Sequence, residues 1–227
     1  MLFMPFDPLF LVLVLPTMIF AMWAQHRVSS SFKQYSQIRT LRGLTGAQAA
    51  NEVLRQAGVY GVQVERVDGH LTDHFDPRDN VIRLSDSVYD ASTIAAVGVA
   101  AHEAGHAIQH AHGYVPMKVR AAIIPITSIG SKLAMPLVLI GFIMGMTGLI
   151  NIGILLFGAV VVFQLVTLPV EFNASRRAVA VLDNSAILTS DELKGSKRVL
   201  TAAALTYVGA LAVSLAQLIR LILLRRR

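Results

Sequence analysis

The pentapeptide HEAGH at residues 102–106 constrains this chain more than any other feature of its sequence. Ser92 suits a helix N-cap and Gly113 a helix stop, so the sequence predicts one helix between them. Side chains four residues apart lie on the same face of a helix. His102 and His106 can therefore direct two imidazoles at one point, which is the geometry by which HExxH helices hold zinc.

Glu103 stands beside the first histidine, where its carboxylate can reach a metal-bound water instead of the metal. In that position it would act as the catalytic general base of a hydrolase. The rest of the helix is rich in Ala, Gly and Val, which predicts burial on nearly all sides. The alternative is a buried helix whose histidines only find hydrogen-bond partners. The buried context and an acidic residue downstream lead us to interpret the motif as a metal site.

Apolar residues make up 54% of the chain and charged residues only 15%, and the apolar residues are concentrated in blocks. This composition is typical of a membrane protein. The chain has no cysteine, which excludes disulfides, thiolate metal ligands and a catalytic thiol. Its net charge of +6 comes from Lys and Arg residues that flank the apolar blocks, so we expect a lipid bilayer as partner and no nucleic acid.

We divide the chain into four parts and predict a mainly α membrane protein. Residues 1–24 form an N-terminal transmembrane anchor, because they lack the basic start and the cleavage site of a signal peptide. Residues 25–120 form a small α+β catalytic unit that contains the HEAGH helix. Residues 133–170 form a transmembrane hairpin. Residues 171–227 contain a helix with the third metal ligand, followed by a C-terminal apolar helix.

Within the catalytic unit, local patterns predict a helix, a strand, a turn and a second strand. Thr45 caps a helix that ends at Gly58. Residues 62–67 alternate in polarity and predict a strand. A polar turn at 68–80 precedes the second strand at 81–85, which leads into the HEAGH helix.

The charge distribution predicts which side of the membrane each part occupies. Cationic residues follow the anchor at once, which places the catalytic unit on the cytoplasmic side. The hairpin would turn at Asn151 on the opposite side. Residues 199–224 leave two interpretations open: a fourth crossing would place Arg225–Arg227 outside, whereas a helix packed on the catalytic unit along the membrane would keep them inside. The cationic residues after the anchor are Arg27, Lys33, Arg39 and Arg42.

Two histidines leave a catalytic zinc in need of a third protein ligand and one open position for water. Glu171 is the leading candidate, because a carboxylate at the end of an apolar run is costly unless it is paired or metal-bound. Its simpler role is an ion pair with a neighbouring arginine, and Asp183 is the competing ligand. Four residues stay open as oxyanion donors or as supports of the metal ligands: Tyr207, His74, Arg176 and Arg177.

Four stretches together carry a family resemblance: LTDHFDPRDNVIRLS at 71–85, AAVGVAAHEAGHAIQH at 95–110, VEFNAS at 170–175 and AAALTYVGA at 202–210. Through them the chain resembles the YugP-like neutral zinc metallopeptidases of bacterial membranes over nearly its whole length. It is more distantly similar to the HtpX and CAAX-prenyl membrane proteases. Those relatives usually carry E-x-x-A-D at the glutamate ligand, whereas Ser175 stands here in place of the acid.

The resemblance implies a zincin-like catalytic unit of the gluzincin type, with one Zn²⁺ per chain held by His102, His106 and Glu171. It implies a multi-pass protein of the bacterial plasma membrane that hydrolyses peptide or protein substrates with a zinc-activated water. It also implies a substrate laid along an edge strand. The strand before the HEAGH helix suits that role: Val81, Ile82, Arg83, Leu84 and Ser85.

Two other functions compete with this one. A site-2-type intramembrane protease would use Asp183 as third ligand and bury HExxH within a transmembrane span. A non-catalytic membrane scaffold would keep zinc for stability, although such a scaffold has no need of Glu103.

Overall fold

The computed structural model describes residues 7–226 and is mostly helical with one three-stranded sheet. The first six residues of the predicted anchor, and the last residue of the chain, lie outside the described residues. The chain forms two compact units. The apolar unit comprises Met1–Gln25, Lys118–Pro169 and Leu205–Arg227, and the α+β unit comprises His26–Met117 and Val170–Ala204.

The predicted helix at 44–58 and the predicted strands at 62–67 and 81–85 are confirmed to within two residues. The helices are a π-helical turn Phe10–Val14, α1 (Leu15–Tyr35), α2 (Gly46–Gln56), α3 (Asp86–Tyr89), α4 (Ile94–Ala111), α5 (Val115–Met144), α6 (Thr147–Asn184) and α7 (Ser190–Arg225). The strands are β1 (Gln63–Val67), β2 (His74–Asp76) and β3 (Val81–Ser85).

Side-chain caps set the beginnings of α2 and α4. Thr45 and Gln48 each accept the other's backbone N–H, which is the reciprocal capping box. The hydroxyl of Thr93, not Ser92 as predicted, accepts from the backbone N–H of Ala96 and begins α4. Ser92 instead uses its carbonyl oxygen to accept from Thr40.

The sheet has the strand order β1-β3-β2, so the prediction that Val81–Ser85 forms an edge strand is wrong. β3 pairs in parallel with β1 on one side and antiparallel with β2 on the other. Its residues are almost all buried, as expected for a central strand. The edge strand β2 was hidden in the predicted polar turn, because only Phe75 of its three residues is apolar and no alternation is visible.

Small residues let α6 and α7 approach α4 closely. A Cβ atom at Gly105 would collide with the carbonyl oxygen of Ala174 on α6, and one at Gly98 would collide with the Ser196 hydroxyl on α7. The same helices share a core with α2 and β3. This packing brings the segment that begins at Val170 against the HEAGH motif.

Among residues 7–226, four helices are long and apolar enough to cross a membrane: α1 with the turn before it, α5, α6 and α7. The predicted turn at Asn151 is wrong, because Asn151 lies inside α6 and the chain turns between α5 and α6 at Gly145. Gly145 has a positive φ of 67°, which a glycine adopts without strain and which ends α5.

α1 and α7 run antiparallel within the apolar unit. At one end, Arg220 on α7 forms a buried ion pair with Asp7, at 2.6 Å between Nη2 and Oδ2. Further along, Gly209 on α7 packs against the backbone of Ala21 on α1. The C-terminal apolar helix therefore packs beside the N-terminal one.

Candidate metal centre

Three potential metal ligands converge in the α+β unit. Nε2 of His102 lies 3.3 Å from Oε2 of Glu171, and Nε2 of His106 lies 3.5 Å from the same oxygen. Each of the three offers one ligand atom, and these atoms lie within 4.8 Å of one another. The histidines come from α4 and the glutamate from α6, in the order that the sequence predicted.

The donor set fits a catalytic zinc site. Two ligand atoms that each lie 2.0–2.1 Å from a tetrahedral zinc are about 3.3 Å apart, close to both observed distances between histidine nitrogen and glutamate oxygen. The side chains are mostly buried, so little water competes for the ligands. Three protein ligands leave the fourth position open for a water, as catalytic sites require.

The other ring nitrogen of each histidine is engaged by a polar side chain. Oγ of Ser175 lies 3.0 Å from Nδ1 of His102, and Oε1 of Gln109 lies 3.0 Å from Nδ1 of His106. Ser175 thus contacts the histidine from the position at which the related proteases usually carry an acid. Such contacts orient the rings and leave both Nε2 atoms directed at the metal position.

Gln109 is fully buried and joins α4 to α6. Its Nε2 donates to the carbonyl oxygen of Val170 at 2.8 Å and to Oδ1 of Asn173 at 3.0 Å. A carbonyl oxygen only accepts, so this pairing fixes the amide with Oε1 facing His106. Nδ1 of His106 must then carry the proton, and its Nε2 keeps the lone pair that binds a metal.

Sequence reasoning missed Gln109, although a signal was present. Gln109 stands three residues after His106, which places both on one face of the helix. It is also a polar residue in an otherwise apolar helix. A buried amide in such a place needs hydrogen-bond partners, and a ring nitrogen one turn earlier can supply one.

Gln109→Leu should weaken zinc binding about 10- to 100-fold, because loss of an outer partner of a metal histidine typically costs that much affinity. The dissociation constant can be measured by competition with a chromogenic chelator. Gln34→Leu, on the exposed surface of α1, serves as the matched control and should bind zinc like the wild type. Unchanged affinity in Gln109→Leu would show that the amide does not position His106.

The electrostatics of the cluster favour positive charge. Burial alone would lower the pKa of His106, but the protonated ring can donate from Nε2 to Glu171 and is attracted to the negative charges of Glu103 and Glu171, so that pKa is raised. An environment that favours a proton on His106 also favours a metal cation at the same place.

Glu103 is a buried carboxylate next to the cluster, with 8% of its surface exposed. Within residues 7–226 no hydrogen bond or ion pair engages it. A largely buried carboxylate without hydrogen bonds or ion pairs to the protein is rare unless it binds a ligand or water or takes part in catalysis. Its negative charge acts on His106, one of the three clustered ligands.

The structure does not bring Asp183 to the histidines. Asp183 is exposed and lies 12 residues beyond Glu171 on α6, which corresponds to about 18 Å along the helix. The competing choice of third ligand therefore lacks the required geometry.

The four residues left open in the sequence occupy separate places. His74 on β2 uses Nδ1 to donate to the carbonyl of Thr72. Arg177 donates from Nε to Asn173, and so extends the hydrogen-bond network of Gln109. Arg176 lines a separate pocket between α6 and α7. Tyr207 belongs to the apolar unit.

Comparisons with known proteins identify a family and a relative of this chain. The model of the family described as "Putative neutral zinc metallopeptidase" matches residues 10–226. The chain is 44% identical over 216 residues to the "Putative membrane protease YugP" of Bacillus subtilis (strain 168), across 95% of this chain and 96% of that protein. No solved structure matches the chain.

The name of this relative and the four apolar helices identify a membrane protein. The family model spans nearly every described residue, including the HEAGH helix and Glu171. Its description also agrees with a donor set of two imidazoles and one carboxylate that fits zinc. On these grounds, the chain belongs to the family described as putative neutral zinc metallopeptidases.

Proposed function

We propose that this protein is a zinc metalloendopeptidase of the gluzincin type, embedded in the membrane and binding one Zn²⁺ per chain. The observation that carries the proposal is the convergence of His102, His106 and Glu171 beside the buried, unengaged carboxylate of Glu103. These are the side chains that metal-assisted hydrolysis of a peptide bond needs.

Each of these residues has one role. Nε2 of His102 and of His106, with one oxygen of Glu171, would hold the zinc. When bound, zinc lowers the pKa of a coordinated water to about 7 and polarises a carbonyl group. Glu103 accepts a proton at its carboxylate and later delivers it to the leaving amine nitrogen. Gln109 and Ser175 keep the two imidazoles in orientation.

Two observations favour an enzyme over a zinc-stabilised scaffold. Structural zinc sites are almost always closed by four protein ligands, whereas the described residues bring three together here. A purely structural site also has no use for Glu103, a largely buried carboxylate whose negative charge acts on the ligand His106.

We place the substrate on β2 instead of β3. β3 pairs on both sides and has no free edge, whereas β2 is an antiparallel edge strand. β2 also reaches the helix of the metal ligands, since the ring of Phe75 lies 5.7 Å from that of His110. An extended peptide can add to such an edge through main-chain hydrogen bonds.

The test is cleavage of an unstructured protein by the purified, zinc-loaded chain in detergent, compared with Glu103→Gln. The proposal expects cleavage by the wild type that the variant largely loses. A zinc-loaded wild type that cleaves none of a broad panel of peptides would instead favour the scaffold.

We further propose four crossings of the bacterial plasma membrane, with the α+β unit on the cytoplasmic side. The ion pair between Asp7 and Arg220 supports this topology, because two partners in one contact must lie at the same depth. The N-terminal end of the first span and the C-terminal end of α7 therefore lie on the same side of the membrane. The positive-inside rule favours a cytoplasmic α+β unit, since most Lys and Arg residues near the span ends lie in it.

Because the chain has no native cysteine, single introduced cysteines can be labelled to test this topology. Tyr60→Cys, at a site with 78% of its surface exposed in the α+β unit, should react with an impermeant maleimide only after cells are permeabilised. Arg225→Cys, at the end of α7, should react in intact cells. Labelling of Tyr60→Cys but not of Arg225→Cys in intact cells would reverse the topology. Protection of both cysteines in intact cells would mean that α7 does not cross the membrane.

A further inference from the structure

A pocket of about 280 Å³ lies between α6 and α7 in the α+β unit, and its walls combine two kinds of side chain. Phe172, Val179 and Leu200 supply an apolar surface. Arg176 from α6 and Lys197 from α7 supply two exposed cations. No carboxylate lines the pocket.

These two cations differ from the ion-paired cations of the α+β unit. Arg55, Arg83 and Lys194 each form an ion pair with a carboxylate. Among the described residues, neither Arg176 nor Lys197 has a carboxylate within ion-pair distance. Two positive charges on facing helices repel each other, so their shared pocket favours a bound anion.

The position of the pocket along the two helices indicates the source of that anion. The apolar unit includes α6 up to Pro169 and α7 from Leu205. The pocket walls lie just beyond these points, since they begin at Phe172 on α6 and end at Ala204 on α7. In a membrane protein, this is where the hydrocarbon core gives way to the phosphate groups of the lipids.

We propose that this pocket binds an anionic phospholipid. Arg176 and Lys197 contact its phosphate, and the hydroxyl of Thr201 offers a further donor. Phe172 and Leu200 cover the glycerol and the upper part of an acyl chain. Basic pockets between membrane helices on the cytoplasmic side recognise lipid headgroups by this combination.

The lipid would lie beside the metal centre. Ser175 lines the pocket, and its hydroxyl also contacts Nδ1 of His102. The binding of lipid does not depend on peptidase activity, however, and it can be tested by a measurement that does not involve catalysis.

The experiment titrates the purified chain, in a neutral detergent, with phosphatidylglycerol or phosphatidylcholine and counts bound lipid by native mass spectrometry. The double variant Arg176→Gln/Lys197→Gln should bind phosphatidylglycerol about 30-fold more weakly, because each cation near a lipid phosphate contributes a factor of about 5. The matched control Arg55→Gln/Arg78→Gln loses the same charge at exposed sites outside the pocket and should bind like the wild type. Phosphatidylcholine should bind weakly to all three.

Two further measurements keep the outcome decisive. The charge-conserving variants Arg176→Lys and Lys197→Arg should retain the lipid, which separates loss of charge from loss of fold. Millimolar inorganic phosphate should not displace phosphatidylglycerol, since it lacks the apolar part. Wild-type lipid binding by the double glutamine variant, or displacement of the lipid by inorganic phosphate, would overturn the proposal.

Discussion

Glu103→Gln is expected to slow peptide cleavage about 10²- to 10⁴-fold, which is the usual contribution of a general base. The amide is nearly isosteric with the carboxylate, so the buried site should keep its shape and its zinc. The amide cannot accept a proton at neutral pH. Among the described residues, the other carboxylate at the cluster is that of Glu171, which the proposed metal engages. The measurements are kcat on an unstructured protein and zinc content per chain.

Glu65→Gln provides a matched control for this variant, because Glu65 is a half-exposed glutamate on β1 outside the cluster. It should cleave at the wild-type rate. A wild-type rate in Glu103→Gln would remove this residue from the mechanism. Slow cleavage together with loss of zinc would assign it to metal binding instead.

The parts of the site that follow from local geometry could be predicted from the sequence. The i, i+4 spacing of His102 and His106 places both rings on one helix face whatever surrounds the helix. The capping box of Thr45 and Gln48 is equally local, since its two hydrogen bonds span three residues. Such features depend on helix geometry and not on distant packing.

The features that escaped prediction depend on contacts between distant segments. Gln109 holds His106 only because α6 brings the carbonyl of Val170, 61 residues away, to its amide. β2 becomes a strand because β3 offers it a partner, and three residues carry too short a pattern to show this. The assignment of β3 as an edge strand failed for the same reason.

The position of the hairpin turn shows how polarity can mislead in an apolar segment. Asn151 suggested a turn because it interrupts a long apolar run. A helix satisfies its backbone hydrogen bonds internally and tolerates one polar side chain, whereas Gly145 allows the left-handed backbone that ends α5. Backbone conformation, not side-chain polarity, decides where this hairpin turns.

Glu171→Ala is expected to abolish stoichiometric zinc binding, with affinity falling more than about 100-fold. Loss of an outer contact to a metal histidine typically costs 10- to 100-fold, and loss of a direct ligand should exceed that. The glutamate oxygen lies within 3.5 Å of both histidine Nε2 atoms, so its removal takes away the one negative charge of the donor set. Zinc content after dialysis, and the dissociation constant in chelator competition, measure the effect.

Asp183→Ala is the matched control, because it removes a carboxylate from the same helix at an exposed position. It should keep one zinc per chain, and both variants should keep the helical circular dichroism of the wild type. Glu171→Gln keeps the volume of the buried side chain and should also lose zinc, which separates ligand loss from a cavity in the core. If Glu171→Ala kept its zinc while Asp183→Ala lost it, the metal centre would have to be assigned to Asp183.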